Sequence, residues 1–331
     1  MDPIRRILIA VKNPDGRSQR GVEKALHIAK RLGASVELFH AISNPVFLEL
    51  QPLTGQSVAQ IRHESIELRR KRLEKLVKRA HRLGLEATSH VAWDYPPHEA
   101  IVRRAGRIHA DLIVAECHEG KRLAPWLIHL TDWELLRLSP RPVLILKNDR
   151  KWVEPTVLAA VDPSHAHDKP ARLDSTIVEL ATSLSRALHG NFELLHANFP
   201  ASFAGMMADE TIGPAVLSRL YDDQRSRSKA EFLAFAAKAH VSRARCHLVD
   251  TDPAFAIPHL ARKLGADVVV MGAVARSGLK RVFIGNTAER ILDALPCDVL
   301  VVKPAKFPNR VTRTTRGMRV ALPQPLLPMP I

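Results

Sequence analysis

The sequence predicts an α/β chain made of two tandem doubly wound domains, each with a five-stranded parallel sheet. Three observations lead there. Short runs rich in Val, Ile and Leu alternate with segments of helical periodicity along the chain, the pattern of strands joined by crossover helices. Runs such as ILIAV (Ile7–Val11) and VVVM (Val268–Met271) are apolar on consecutive residues, so both faces of the sheet are covered. The order of elements then occurs twice, the mark of an internal duplication.

Taken in order, IRRILIAVKN (Ile4–Asn13) is the first strand, and SQRGVEKALHIAKRLGA is a helix that stops at Gly33. SVELFHAIS (Ser35–Ser43) is the second strand, followed by a long basic helix over IRHESIELRRKRLEKLVKRAHRLG (Ile61–Gly84). EATSHVAW, the helix PPHEAIVRRAGRIHA, DLIVAEC, a helix near Thr131–Leu138 and PVLILKN complete the half. KWVEP (Lys151–Pro155) reads as a linker. The second half runs PTVLAAVD, LDSTIVELATSLSRALHG, NFELLHANF, a helix within Ile212–His240, RARCHLVD, PAFAIPHLARKLGA, DVVVMG, GNTAERILDAL and DVLVVKP. The last third of each half aligns without a gap at an offset of 156 residues: Asp94 meets Asp250, Pro97 meets Pro253, Asp111 meets Asp267, Pro140 meets Pro296 and Lys147 meets Lys303. The expected domains are 1–150 and 151–306, with a basic, Pro-rich tail at 307–331 whose composition predicts disorder. In open sheets of this class ligands bind at the C-terminal strand ends, where connections diverge to opposite faces. That places Asp162 beside Gly272.

The chain's 331 residues suffice for two domains with their own cores. No run approaches the roughly 18 apolar residues of a membrane span. MDPIRRILIAVKN enters a strand pattern at once, without a signal-peptide apolar region, and Cys117, Cys246 and Cys297 are too few and scattered for a disulfide framework or a zinc site. A cytoplasmic protein is expected. The net charge of +15 is concentrated on the long basic helix and beyond Asp298, where six Lys and Arg occur without an acid. Such a field attracts nucleic acid or acidic partners at low salt, but the helix lacks the interleaved aromatics of single-strand binders. A solvated face and tail are the simpler reading.

VVVMGAVARSGLKRVFIGNTAERIL (Val268–Leu292) passes from strand through a basic glycine-containing loop to a helix start, where unpaired N–H groups and the helix dipole favour an anion. This stretch resembles the nucleotide signature of the universal stress protein family: Gly, two residues, Gly, nine residues, Gly, then Ser or Thr. Here Gly272, Ala275, Gly285 and Asn286 stand at those positions. With TDWELLRLSPRPV (Thr131–Val143), YPPHEAI (Tyr95–Ile101) and the duplication, the chain is most similar to the E-type tandem members, as far as about Lys306. The resemblance implies the adenine nucleotide alpha hydrolase-like fold, with strand order 3-2-1-4-5, and ATP, with Mg, in the second half. Its implied site is Asp162 on the adenine, Gly272, Ala275 and Gly278 in the loop, and Gly285, Asn286 and Thr287 at the phosphates. Ala275 adds a methyl where the family keeps glycine, and Asn286 replaces a hydroxyl residue. In the first half Lys12, Glu116, Glu119, His129 and Leu130 stand at the equivalent positions of Asp162, Gly272, Ala275, Gly285 and Asn286. Two carboxylates there repel phosphate, so no nucleotide is expected in that half. The resemblance also implies pairing through edge strands, here PVLILKN with DVLVVKP inside one chain or between chains.

Other features leave alternatives open. HANFPASFAGMMADETIGP (His196–Pro214) gathers Phe199, Phe203, Met206 and Met207, a pliable wall for an amphipathic, lipid-like ligand or a loop folded on its own core. SHAHDK (Ser164–Lys169) carries two His and an Asp but reads as a solvated loop rather than a metal site. Trp126 and Trp133 are expected to fill the first half's empty phosphate region. No lysine phosphate loop, nucleophile elbow or paired-carboxylate motif occurs. The expected function is a non-enzymatic stress-response and ligand-sensing factor with protein partners. A carrier of an amphipathic metabolite and a nucleic-acid-associated factor are the alternatives.

Overall fold

In the computed structural model, which describes residues 4–16, 18–43, 46–47, 57–116, 130–163, 172–198, 213–273, 286–317 and 320–321, the apolar runs become strands. The first half contains β1 (Arg6–Ala10), α1 (Arg20–Leu32), β2 (Ser35–Ile42), a two-residue β3 (Val46–Phe47), α2 (Val58–Arg82), β4 (Ala87–Trp93), α3 (Pro97–Arg107), β5 (Leu112–Glu116), α4 (Leu130–Leu138) and β6 (Val143–Leu146). The second contains β7 (Thr156–Val161), α5 (Arg172–Ala187), β8 (Asn191–Ala197), α6 (Pro214–Lys238), β9 (Cys246–Val249), α7 (Pro253–Leu264), β10 (Val268–Gly272), α8 (Asn286–Ala294), β11 (Asp298–Val302) and a two-residue β12 (Val320–Ala321). Local chemistry sets several boundaries. Ser57 and Gln60 form a reciprocal capping box that starts α2. Asp252 accepts from the Ala254 N–H at 2.8 Å and, with Pro253 at the first helical position, starts α7.

All ten longer strands join one sheet in the order β4-β2-β1-β5-β6-β11-β10-β7-β8-β9. Within each half the order is 3-2-1-4-5 and the pairing parallel. The halves meet where β6 and β11 pair antiparallel, with Leu144 opposite Leu300, its own counterpart in the duplication. A pseudo-twofold axis therefore passes through that residue pair. Buried residues of α1, α2, α5 and α6 form a core on one sheet face, and those of α3, α4, α7 and α8 form another on the opposite face.

A buried ionic cluster locks the seam on the first face. The Lys24 ammonium, on α1, lies 2.5 Å from the Asp298 carboxylate at the start of β11, and neither side chain is more than 1% exposed. Lys24 also donates to the backbone and side-chain oxygens of Asn148, each at 3.0 Å. Asp298 accepts from the Lys147 N–H and the Trp152 indole, both at 2.9 Å. The expected linker is thus partly a core element, since Trp152 is buried. Across the same seam the Lys147 ammonium donates to the carbonyls of Leu292 and Leu295 at 2.7 and 2.6 Å, which satisfies the C-terminal end of α8.

The tail differs from its expected disorder as far as Gly317. Arg103 on α3 pairs with the buried Asp94 and donates to the Thr312 carbonyl at 2.8 Å. The Arg316 N–H donates to Asp94 at 2.9 Å, its guanidinium to Glu99 at 2.7 Å, and Arg107 donates to the Arg313 carbonyl at 3.1 Å. Val311 joins the apolar core on that face. Composition measures a tail's own apolar content; the ordering here comes from main-chain acceptors offered to arginines on a different half. Beyond it β12 pairs with β3; residues 318–319 and 322–331 lie outside the described set.

Two outcomes are expected. Burial holds the Asp298 carboxyl above its ordinary value even beside Lys24. A folded-state value above the unfolded one of about 3.9 means that this group's contribution is fully present below that value and drains as pH rises through the folded one. Lys24→Met removes the compensating charge, so it is expected to destabilise by about 3–5 kcal/mol near pH 7 and by less near pH 4.5, measured as urea midpoints at both pH values. Val311→Asp is expected to detach the strap, lower stability by about 2–3 kcal/mol and open the bonds after Arg310 and Arg313 to trypsin in limited proteolysis.

Candidate functional site

The two halves expose the same topological crevice. β1 feeds α1 on one face while β5 feeds the segment leading to α4 on the other; β7 and β10 do the same toward α5 and α8. Each crevice lies at the C-terminal ends of that strand pair, where this architecture binds ligands.

In the second half Met271 of β10 lies opposite Ala160 of β7, so Asp162 and Gly272 leave neighbouring strand ends side by side. The Asp162 N–H donates to the Asp174 carboxylate in the first turn of α5 at 3.1 Å. Gly272 is bare for a reason the signature alone does not reveal. A methyl built on it would lie 2.8 Å from Leu173 and 3.1 Å from Ile177, both on α5, so the missing Cβ lets the helix close onto the strand. α8 begins at Asn286 and Thr287, as the helix start expected there. Ala275, Gly278 and Gly285 lie outside the described residues, as do Ser164–Lys169 and the Phe/Met segment from Phe199 to Ile212.

The first half solves the same packing problem in reverse. Glu116 stands at the position of Gly272, and Gly21 on α1 stands at that of Ile177. A methyl on Gly21 would overlap the Glu116 carboxylate. One repeat sets a large helix residue over a bare strand end; the other sets a bare helix residue under a large acid. The exchange brings a carboxylate to the first turn of α1, where the helix dipole favours negative charge. Around Glu116 the ends of β1, β2 and β5, with α3 and α4, form a partly open cavity of about 250 Å³, lined among others by Lys12, Phe39, His40, Ile101, Glu116 and Asp132. Trp133 is half-buried against the same face's core; Trp126, Glu119 and His129 lie outside the described residues.

Sequence reading missed a paired device. His40 and His196, at equivalent positions near the ends of β2 and β8, each bond through Nδ1 to the carbonyl ending strand one, Val11 at 2.8 Å and Val161 at 3.1 Å. The signal was present as ELFHA and ELLHA in the two strands. His196 is sealed, with Nε2 bonded to Ser228 at 2.8 Å and the ring against Phe232. In the first half Arg72 replaces that serine and pairs with Asp15 at 3.2 Å. The His40 ring lines the cavity instead, and burial, with a smaller contribution from Arg69, holds it below the ordinary imidazole value.

Elsewhere, burial pushes the Cys297 thiol up to about 12, which leaves it inert as a nucleophile. No group of three metal-ligating side chains occurs among the described residues, and no described helix is long and apolar enough to cross a membrane.

Comparison with known proteins points one way. The model of the Universal stress protein family matches residues 3–147 and again 156–303. Universal stress protein E of Escherichia coli K12 is 26% identical over 306 residues, covering 92% of this chain and 96% of the relative. The crystal structure of a putative universal stress protein from Pseudomonas aeruginosa UCBPP-PA14 superposes with a TM-score of 0.69 at 25% identity, covering 91% of this chain and 94% of that one. One from Archaeoglobus fulgidus shares the fold, with a TM-score of 0.61 at 17% identity over 90% of this chain and 97% of that one.

Because Gly272 serves packing, Gly272→Ala is expected to destabilise the ligand-free protein by about 1–3 kcal/mol through overpacking. Trimming Leu173 to Ala in the same chain should recover part of that loss, seen as a positive coupling in a double-mutant cycle of urea midpoints. An unchanged midpoint for the single variant would show that the position opens onto the crevice instead.

Proposed function

The chain belongs to the universal stress protein family, and from that premise we propose that it is a non-enzymatic, ligand-responsive stress factor whose second half takes an adenine nucleotide. The observation that carries the reading is the placement of Asp162 beside Gly272 at the point where β7 and β10 send their helices to opposite faces. An aspartate there can accept from the adenine amino group, and α8, starting at Asn286, can present N–H groups to phosphates. Gly278 and Ala275 would border the phosphates in the intervening loop, and magnesium would neutralise phosphate charge as it does for free ATP. Backbone amides bind phosphate without supplying the positioned water and charge clamp that hydrolysis needs, so the bound nucleotide acts as a signal read by protein partners. The E-type relative's name supports the stress assignment. Arg316 is held on Glu99 within the chain, which favours this reading over one in which the tail's charge serves nucleic acid.

Isothermal titration calorimetry of the full chain with ATP and magnesium is expected to give one site per chain. Asp162→Ala should weaken it about tenfold, the loss of a hydrogen bond to a charged group. Equal affinity in the variant, or two sites per chain, would refute the assignment.

A further inference from the structure

Helix α2 carries nine Lys and Arg, and eight of them fall into two sets. Arg70 pairs with Glu67 and Glu74, Arg69 and Arg72 with Asp15, and Arg79 with Glu23. Lys71, Lys75, Lys78 and Arg82 are exposed, and none has an acidic partner among the described residues. Their spacing of four, three and four residues sets them on one ridge of the helix, turned away from the buried Leu73, Leu76 and Ala80. At 1.5 Å per residue the ridge runs for about 16 Å, and from Leu68 to Arg82 it holds no acid. The field of a helix C-terminus favours a cation at Arg82 but not at Lys71 and Lys75, two and three turns earlier. Nor does the repeat require the ridge. α6 has the same length, and the 156-residue offset carries Leu76 and Ala80 onto the buried Phe232 and Ala236, yet its ridge reads Arg227, Glu231, Ala234 and Lys238. A mixed ridge solvates a helix equally well, whereas like charges four residues apart weaken it. Solvation therefore leaves the concentration of charge on α2 unexplained.

We propose that this ridge docks on the phosphate backbone of a DNA duplex without reading its sequence. Four cations in line match a polyanion that carries one charge per about 1.7 Å of its axis. Placement favours the contact, because α2 packs on β4, the edge strand of the ten-stranded sheet and the one farthest from the seam in that half. The roughly 12 Å major groove of B-form DNA admits a helix of about 10–12 Å diameter between its phosphate rims, and long Lys and Arg side chains reach both; the narrow groove of A-form RNA does not admit it. Leu68 is the one large apolar side chain exposed on the ridge, too little for insertion into a lipid surface, and no aromatic stands on the helix to stack on single strands. The contact uses neither the tail nor the second half's crevice.

Fluorescence anisotropy of the full chain with mixed-sequence DNA duplexes tests this. Four phosphate contacts are expected to give a slope of log affinity against log salt of about −3.6, a loss of about a hundredfold between roughly 50 and 200 mM, with equal affinity for duplexes of unrelated sequence. A triple variant, Lys71→Gln with Lys75→Gln and Lys78→Gln, should flatten the slope to about −1 and leave a loss of about threefold to fourfold over the same range. Arg227→Gln, on the ridge of α6, should change neither quantity. Thermal midpoints report whether the triple variant is folded; if it is not, the three single variants carry the test, each reducing the magnitude of the slope by about 0.9. No binding to DNA at about 50 mM salt, an unchanged slope in these variants, or tighter binding to duplex RNA, polyglutamate or phosphatidylserine vesicles would overturn the proposal.

Discussion

The antiparallel pairing of β6 with β11 is the contact on which the rest of the molecule depends. A five-stranded parallel sheet ends on strand five with a row of unpaired N–H and C=O groups and strongly apolar side chains, a template for association. Here Val143, Leu144 and Ile145 meet Val301, Leu300 and Val299, all buried, so one half's edge closes the other's and the sheet runs unbroken through ten strands. Pairing alone would accept two identical halves equally well. The ionic cluster distinguishes them. Lys24 and Asp298 have Leu180 and Pro142 as counterparts at the 156-residue offset, so the pseudo-twofold carries a buried ion pair on one side and non-ionising residues on the other. Such a pair adds little net stability over an apolar isostere but penalises any arrangement that leaves one charge alone. Its role is to make the pairing of first half with second half preferable to first with first or second with second. The internal use of this edge also removes it as a surface for self-association between chains.

Divergence within the common frame follows from volume. Strand four of each half must pass close beneath the helix that follows strand one, and only one of the two facing positions can carry a side chain of any size. The second half gives the space to Ile177 and leaves Gly272 bare; the first gives it to Glu116 and leaves Gly21 bare. A single exchange therefore alters packing and electrostatics together, because the residue gaining volume at the strand end faces the crevice. The histidines show the same logic. His196 is saturated by Val161 and Ser228, while His40, with Arg72 at the position of that serine, keeps its bond to Val11 and lines a cavity. Two copies of one fold thereby acquire opposite crevices, one carrying the glycine signature and one built from side-chain acceptors.

Much of this was legible from residue patterns alone. Consecutive apolar runs located the strands, the 156-residue offset located the repeat, and PVLILKN and DVLVVKP were visible as the edges able to join the halves. What stayed hidden depended on contacts far apart in sequence. Lys24 reads as one more charge on an amphipathic helix until Asp298, 274 residues later, is folded beside it. Gly21 reads as a weak point in that helix, because its function is defined only by Glu116. The glycine at 272 was legible as a signature residue, but its packing against Leu173 and Ile177 was not, since a motif records which residue occurs and not what lies above it. The tail was read from composition, and composition is silent about acceptors offered to arginines on another domain.

The strap and the first-half cavity meet on α3. One side of that helix holds Glu99 and Arg103 against Arg316, Thr312 and the buried Asp94, and Ile101, two residues from each and so on the opposite side, lines the cavity. A helix packed at interior density cannot yield on one side without disturbing the other. Any shift of α3 that enlarges the cavity must therefore be taken up by the strap, which is the carboxyl-terminal continuation of β11 and thus of the second half. The two halves are joined in this way by elements of different character: a seam at β6 and β11 that fixes their orientation, and a segment lying across α3 that is held by hydrogen bonds, ion pairs, the buried Val311 and the short pairing of β12 with β3.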